Sequence, residues 1–224
     1  MAQRTKTKSR ASTRKKTTSR STARRSTRAK RAAAGRKGAT RKTTQRKSTA
    51  SRRRAVPPAI AKAAREMSKM MEAQPAPSDA IALLEQDHRE VEDMFEQFEQ
   101  LDSKAEKGKL AAKICLALTV HTMIEEELLY PPAHDEIEED VVDEAIVEHN
   151  GAKQLIAEIE AMKPSEHLYD AKMKVLSEYI KHHVKEERDE MFPQLRSSDI
   201  DLEDLGEQLM QRKVELLARM GGKA

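Results

Sequence analysis

The sequence predicts an all-α protein: an up-down-up-down four-helix bundle with one further C-terminal helix, preceded by a disordered basic tail. Three observations lead there. From residue 79 onward, apolar residues recur with a period near 3.6 in four long segments that contain almost no β-branched clusters. Short connections marked by Pro or Gly separate these segments, so consecutive helices must turn back on one another. Charge is also divided along the chain. The first 65 residues hold 24 Lys/Arg and no Asp or Glu, whereas the rest hold 18 Lys/Arg against 38 Asp/Glu, so a net +4 conceals a +24 segment joined to a −20 segment.

Residues 1–56 form the tail. Residues 1–55 contain no Leu, Ile, Val, Phe, Tyr or Trp, and a segment with nothing to bury cannot offset its conformational entropy. Residues 57–78 read as a Pro-bounded linker: Pro57/Pro58 and Pro75/Pro77 bracket a short helix with Ile60, Ala63, Met67, Met70 and Met71 on one face. The bundle follows over 79–195. Its first helix, 79–101, takes Ser78 or Asp79 as N-cap and has the seam Ile81, Leu84, Val91, Phe95, Phe98. The second, 109–130, starts after Gly108, ends at Pro131/Pro132, and has the seam Ile114, Leu118, Leu128. The third, 140–162, shows Val142, Ala145, Ala152, Ile156 and Ile159 and stops before Pro164; the fourth, 166–192, shows Met173, Leu176, Ile180 and Met191. Residues 196–224 carry a shorter helix, 202–220, expected to end at Gly221/Gly222 and to pack outside the four.

Several classes are set aside by composition. The single Cys115 excludes an intramolecular disulfide and a thiolate metal cluster, and its neighbours Ile114, Leu116 and Leu118 indicate a buried, inert thiol. No apolar run reaches the length of a membrane span, and the cationic start lacks the apolar stretch of a secretory signal. The expected setting is cytoplasmic, with nucleoid association suggested by the basic tail.

Within the bundle the helices carry polar residues where the core should be. HTMIEEELLYP (121–131) recurs as HVKEERDEMFP (183–193), 62 positions later, preserving His, three residues, Glu, four residues, an aromatic and Pro. Each copy is preceded by another His on the previous helix: His88 stands 33 residues before His121, and His149 stands 34 before His183. At roughly 1.5 Å per residue, all four imidazoles meet about 13 Å along the bundle, with Glu125 and Glu187 one turn further on. Six ionisable groups in a buried layer need compensation, and a metal supplies it. Imidazole with carboxylate suits iron, manganese or zinc, and two carboxylates able to bridge favour a pair of ions. For iron the arrangement is two His per ion, Glu125 and Glu187 bridging, an oxo or hydroxo group completing the bridge, and open positions for a diatomic molecule or peroxide.

The pattern H…HxxxE…H…HxxxE, with DAIALLEQDHREVEDMFEQFE at its head and HHVKEERDEMFP at its tail, resembles the hemerythrin-like (HHE cation-binding) domains over about residues 79–195. The resemblance implies a four-helix bundle with a non-haem di-iron centre, with His88, His121, Glu125, His149, His183 and Glu187 as ligands. The oxygen-carrying hemerythrins have a second His one turn after the first on the third helix, where this chain has Lys153. Their bridging acid on the fourth helix is Asp, here Glu187. Both departures argue against reversible oxygen transport and for a more open, reactive or iron-sensing centre.

Tyr130 and Phe192 are expected as plugs at the bundle end, with Tyr130 also a candidate to touch the ligands. Glu126, Glu127 and Glu186 read as solvated faces, Asp87 and Glu148 as surface charge, and His134, His167 and His182 as outside the site. The tail, in composition like a linker-histone tail, suits the phosphates of DNA or RNA, bound without base readout. Its candidate contacts are Arg14, Lys15, Lys16, Arg24, Arg25, Lys30, Arg31, Arg36, Lys37, Arg52, Arg53 and Arg54. The competing partner for that charge is the acidic bundle itself. Three functions remain open at this level: a di-iron protein reacting with oxygen, peroxide, nitric oxide or iron; a non-catalytic iron or oxygen sensor or store; and a nucleic-acid-binding protein with a metal-free bundle. Oligomeric state is left open.

Overall fold

The computed structural model describes residues 56–73 and 76–222. The expected basic tail, with every cation assigned above to nucleic acid, lies outside the described residues. Among the described residues there are helices and no strands, and no helix is long and apolar enough to cross a membrane.

Helix α1 (Pro58–Met71) begins on proline, whose missing N–H costs nothing in a first turn. Helix α2 (Ala80–Gln100) is capped by Asp79, whose carboxylate accepts the Ala82 N–H at 2.8 Å. Helix α3 (Lys104–Ile124) starts five residues before the expected position, because Ser103 caps it by accepting the Glu106 N–H. Gly108 does not mark a helix start. It sits inside α3 where a β-carbon would come 2.5 Å from Cγ of Pro164, so its role is close approach.

The ends of the second and fourth helices also differ from expectation. After α3 the chain makes a widened turn, Glu125–Leu129, and continues as α4 (Tyr130–Glu136). After α6 (Tyr169–Glu186) it makes a second one, Glu187–Met191, and continues as α7 (Phe192–Leu195). In both, an N–H bonds to the carbonyl five residues back, Tyr130 to Glu125 and Phe192 to Glu187. Proline inside a regular helix strikes the carbonyl four residues before it. The widened turn moves that carbonyl aside, so Pro131 and Pro193 do not end the helices. The repeated spacing from Glu to aromatic to Pro is therefore the signature of two π-turns, each opening on a glutamate.

Helix α5 (Glu139–Glu160) and helix α8 (Leu202–Met220), capped by Asp201, complete the fold. α2 packs on α3 and α6, and α5 packs on α6 and α3, which gives the alternating four-helix arrangement. The core falls into two apolar clusters. One holds Ile81, Leu84, Ile124, Leu129, Val142, Met191 and Leu195; the other holds Val91, Phe95, Ile114, Leu118, Ile156, Met173 and Ile180. On α2 and α5 the break between them falls at the histidine, His88 and His149. Helices α1 and α8 share the first cluster through Ile60, Ala64, Leu209 and Leu217, so both cover the α2–α3 side of the bundle.

Gly206 lets α8 touch the start of α2, because a β-carbon there would stand 2.6 Å from the backbone N of Ala80 and 2.6 Å from the carbonyl carbon of Asp79. Backbone cannot yield as a side chain can. Gly206→Ala is expected to destabilise the fold by about 1–3 kcal/mol despite alanine's better helix propensity. Chemical denaturation of both proteins checks this, and an unchanged or raised stability would contradict the packing.

Candidate metal centre

Six side chains converge between the two clusters, and none is more than 5% exposed: His88, His121, Glu125, His149, His183 and Glu187. Nε2 of His88 on α2 lies 3.0 Å from Nε2 of His121 on α3. The same His88 nitrogen is 3.2 Å from Oε2 of Glu187, and His121 Nε2 is 3.2 Å from Oε2 of Glu125. In the other half, Nε2 of His149 on α5 lies 3.1 Å from Nε2 of His183 on α6 and 3.3 Å from Oε2 of Glu125. His183 Nε2 is 3.6 Å from Oε1 of Glu187.

The donor atoms thus gather in two sets, His88/His121/Glu125/Glu187 and Glu125/His149/His183, and within each they lie no more than 4.8 Å apart. Glu125 belongs to both. Glu187 faces His88 with one oxygen and His183 with the other, so it too spans the sets.

A cation fits this arrangement. Both oxygens of Glu125 and Oε2 of Glu187 are buried and receive no hydrogen bond, although imidazoles stand close by. Facing Nε2 atoms at 3.0 and 3.1 Å are pairs that cannot both donate, and their lone pairs meet the carboxylates around common points. Two ions, one per set, would partner every one of these atoms and offset the burial of charge.

Nδ1 of three of the four imidazoles meets a carboxylate. His121 Nδ1 faces Asp87 at 3.5 Å, His149 Nδ1 donates to Glu126 at 3.1 Å, and His183 Nδ1 donates to Glu148 at 2.8 Å. A carboxylate only accepts, so the proton sits on Nδ1 and Nε2 turns inward. His88 has no such partner; its ring stacks on Phe192 at 6.0 Å between centroids and 6° between planes.

Asp87, Glu148 and Glu126 were expected to be solvated, and this is corrected. Asp87 is 6% exposed, and each acid points at the histidine of a neighbouring helix; for Asp87 and Glu148 this is not the histidine beside it in sequence. Glu126 is also held by Lys153, the residue at the position of the carriers' extra histidine, so the Lys153 ammonium is engaged away from the layer. Glu127 lies outside it, paired with Arg212 of α8. Tyr130 reaches the layer: its hydroxyl is 3.1 Å from His149 Nε2 and donates to Glu187 Oε1 at 3.4 Å. Burial, together with Glu125 and Glu187, pushes its phenol well above the usual range. His134, His167 and His182 stay outside the layer, exposed.

Lys213 on α8 escaped the sequence reading entirely. It is 7% exposed and ion-paired with Asp87. The periodicity of α8 does mark it: Lys213 stands in the seam of Leu205, Leu209, Leu216 and Leu217, at a place where an apolar residue is expected.

Comparison with known proteins agrees with the fold. The family Hemerythrin, described as the Hemerythrin HHE cation binding domain, matches residues 79–195, just over half of the chain. A curated protein named DNA nickase, from Nostoc sp. (strain PCC 7120 / SAG 25.82 / UTEX 2576), is 26% identical over 144 residues, covering 63% of this chain. The match spans only 41% of that relative's length. The crystal structure of a Hemerythrin HHE cation binding domain-containing protein from Mycobacterium kansasii superposes with a TM-score of 0.55 at 21% identity, covering 63% of this chain and 88% of that one. At that identity the likeness is one of fold.

Without metal, the layer holds protons. Burial disfavours charge on His121, but Glu125 and Asp87 outweigh it and raise its pKa to about 10; burial likewise opposes Glu187 and Glu148 at His183, which is raised to about 9. A group raised above its unfolded value of about 6.5 stabilises the fold fully below that pH, and the contribution is lost as pH climbs through the folded value. The metal-free protein should therefore lose melting temperature between about pH 6.5 and pH 10. Metal affinity should rise over the same interval, because the inward protons must leave. Melting curves against pH, with and without metal, check both; a flat metal-free profile would remove the coupling.

Proposed function

Because the chain belongs to the hemerythrin HHE cation-binding family, we propose that it is a non-haem di-iron protein. In this reading His88, His121, Glu125, His149, His183 and Glu187 hold two iron ions that bind or react with oxygen, peroxide or nitric oxide. One observation carries it: two donor sets sharing Glu125, with buried carboxylate oxygens that nothing else among the described residues satisfies. Manganese and zinc fit the same donors, but two His and two shared carboxylates per ion suit iron, which adds redox chemistry to Lewis acidity.

The protein's own residues then act in distinct ways. Glu125 and Glu187, which span both sets, would hold the two ions together. Asp87, Glu126 and Glu148 keep three imidazoles turned inward. The Tyr130 hydroxyl, against His149 and Glu187, is placed to donate a hydrogen bond or proton to a small ligand on that side. With Lys153 drawn to Glu126, no third imidazole among the described residues joins the His149/His183 set, so an ion held there would have one imidazole fewer and room for a small ligand.

Nucleic-acid attachment through residues 1–55 belongs to the same proposal, supported by the tail's charge and by the name of the Nostoc relative. Burial argues against strand cleavage at the metal layer itself. A phosphodiester cannot reach donors that are at most 5% exposed, whereas a diatomic molecule or peroxide can diffuse in. The same burial gives weight to a second reading, a sensor or store without turnover, whose occupancy changes bundle stability. A nucleoid setting in the cytoplasm follows if the tail binds DNA.

Purified without chelators or reconstituted anaerobically, wild type should hold two irons per chain, and a His121→Ala/His183→Ala variant should hold essentially none. Metal analysis with an absorption spectrum measures this, and a metal-free wild type would overturn the reading. Peroxide consumption over repeated cycles by the iron-loaded protein marks an enzyme; a single oxidation marks a sensor or store.

The tail generates a separate prediction. Unrelated duplexes should bind the full chain alike, with affinity falling about 10³–10⁵-fold between about 50 and 200 mM salt, as six to ten phosphate contacts require. Filter binding at graded salt measures it, and salt-insensitive or sequence-selective binding would contradict it.

A further inference from the structure

We propose that Lys213 on α8 is a positioning residue of the metal centre, acting through Asp87 on the imidazole of His121. The inference rests on the metal reading above and extends it to a helix outside residues 79–195, the span of the family match.

Lys213 is the one buried cationic Lys or Arg among the described residues. Its ammonium pairs with Oδ1 of Asp87, 126 positions away in sequence. The other oxygen, Oδ2, faces Nδ1 of His121, and Nε2 of the same ring lies in the metal layer, 3.2 Å from Glu125. Ammonium, carboxylate and imidazole thus form one continuous chain from α8 to the donors.

Stability alone accounts poorly for this chain. A buried ion pair seldom gains more than its desolvation costs, and an apolar pair of similar size would pack the α2–α8 contact as well. An apolar residue in place of Asp87 would, however, leave His121 Nδ1 without an acceptor and its ring free to turn. Lys213 lets Asp87 remain a buried carboxylate, and Asp87 turns the ring.

The internal repeat shows what the lysine adds. In the other half, Glu148 holds His183 in the same way, but no lysine among the described residues backs it. Its neighbour is His182, at 3.6 Å, whose side chain is 62% exposed, and both border an open cleft on α5 and α6. Two histidines equivalent by sequence therefore differ in support: His121 is tied to a buried ion pair, His183 to a partly buried carboxylate whose other neighbour, His182, is exposed. The expected consequence is unequal retention, with the His88/His121 set holding its ion more tightly than the His149/His183 set.

Titration of the full-length protein with Co²⁺, followed by its visible absorption and by competition with a chelator, tests this. Wild type should bind two Co²⁺ with distinct affinities. Lys213→Met should weaken the tighter one by about 10–100-fold and change its absorption band. Because that variant leaves Asp87 unpaired and can unfold, the double variant Lys213→Met/Asp87→Asn removes both charges together. It should melt near wild type when metal-free and still bind the tighter ion weakly. Leu217→Ala, which loosens α8 through the first apolar cluster and keeps both charges of the pair, should lower the melting temperature and leave both affinities and both bands unchanged. A double variant that binds both ions as wild type does would overturn the inference while leaving the metal reading intact. A wild type that takes up no Co²⁺ would overturn both.

Discussion

Six ionisable side chains lie buried in one layer across the middle of a helical core, and the cost of keeping them from water governs what surrounds them. Four imidazoles and two carboxylates at this depth are tolerable only as a mutually neutralising set or as ligands. Without a cation, protons do the work, which is why His121 and His183 are held protonated far above the ordinary imidazole range. With cations, the same lone pairs face inward and the protons are displaced. One layer thus joins metal occupancy, protonation and fold stability, and the two apolar clusters on either side keep it from water.

Around that layer the bundle spends further charge. Asp87, Glu126 and Glu148 each reach across to an adjacent helix and meet an imidazole from behind. Two of these acids are themselves backed by a lysine, Lys213 or Lys153, so polarity alternates outward from the layer: carboxylate, imidazole, carboxylate, ammonium. Alternation lets each buried charge meet one of opposite sign, and ring orientation follows without backbone strain. Where the alternation is missing, at His88, a stacked phenyl ring restrains the imidazole instead.

Most of the layer was legible because helices enforce it: a His and a Glu four residues apart share a face, and two hairpins of nearly equal length bring both pairs to one level. What failed to show in the sequence was whatever depended on a neighbouring helix. Asp87 and Glu148, read as surface charge, stand beside His88 and His149 in sequence, while their true partners, His121 and His183, lie 34 and 35 positions away. Lys213 interrupts the apolar seam of α8, but its partner Asp87 lies on α2, 126 positions away, and the seam alone does not name it. The helix ends misled for a different reason. Proline is a stop signal when the turn before it is regular, and the repeat of Glu, four residues, aromatic, Pro disclosed an irregularity there without disclosing its form.

The two π-turns connect these points. Each opens on the glutamate that spans the donor sets, so the carbonyl register changes where the side chain must reach furthest inward. Widening the turn costs some hydrogen-bond quality, and the following proline, tolerated only in such a turn, removes a competing regular helix. The residue between glutamate and proline is then set on the layer: Tyr130 against His149 and Glu187 in one hairpin, Phe192 against His88 in the other. A duplicated backbone device therefore presents unlike side chains to the two halves, a hydroxyl to one and an apolar ring to the other. Added to the unequal backing of His121 and His183, it makes the centre chemically two-sided although its backbone is nearly symmetric. Of these two residues, only Tyr130 offers a small ligand in the layer a hydrogen-bond donor, beside His149.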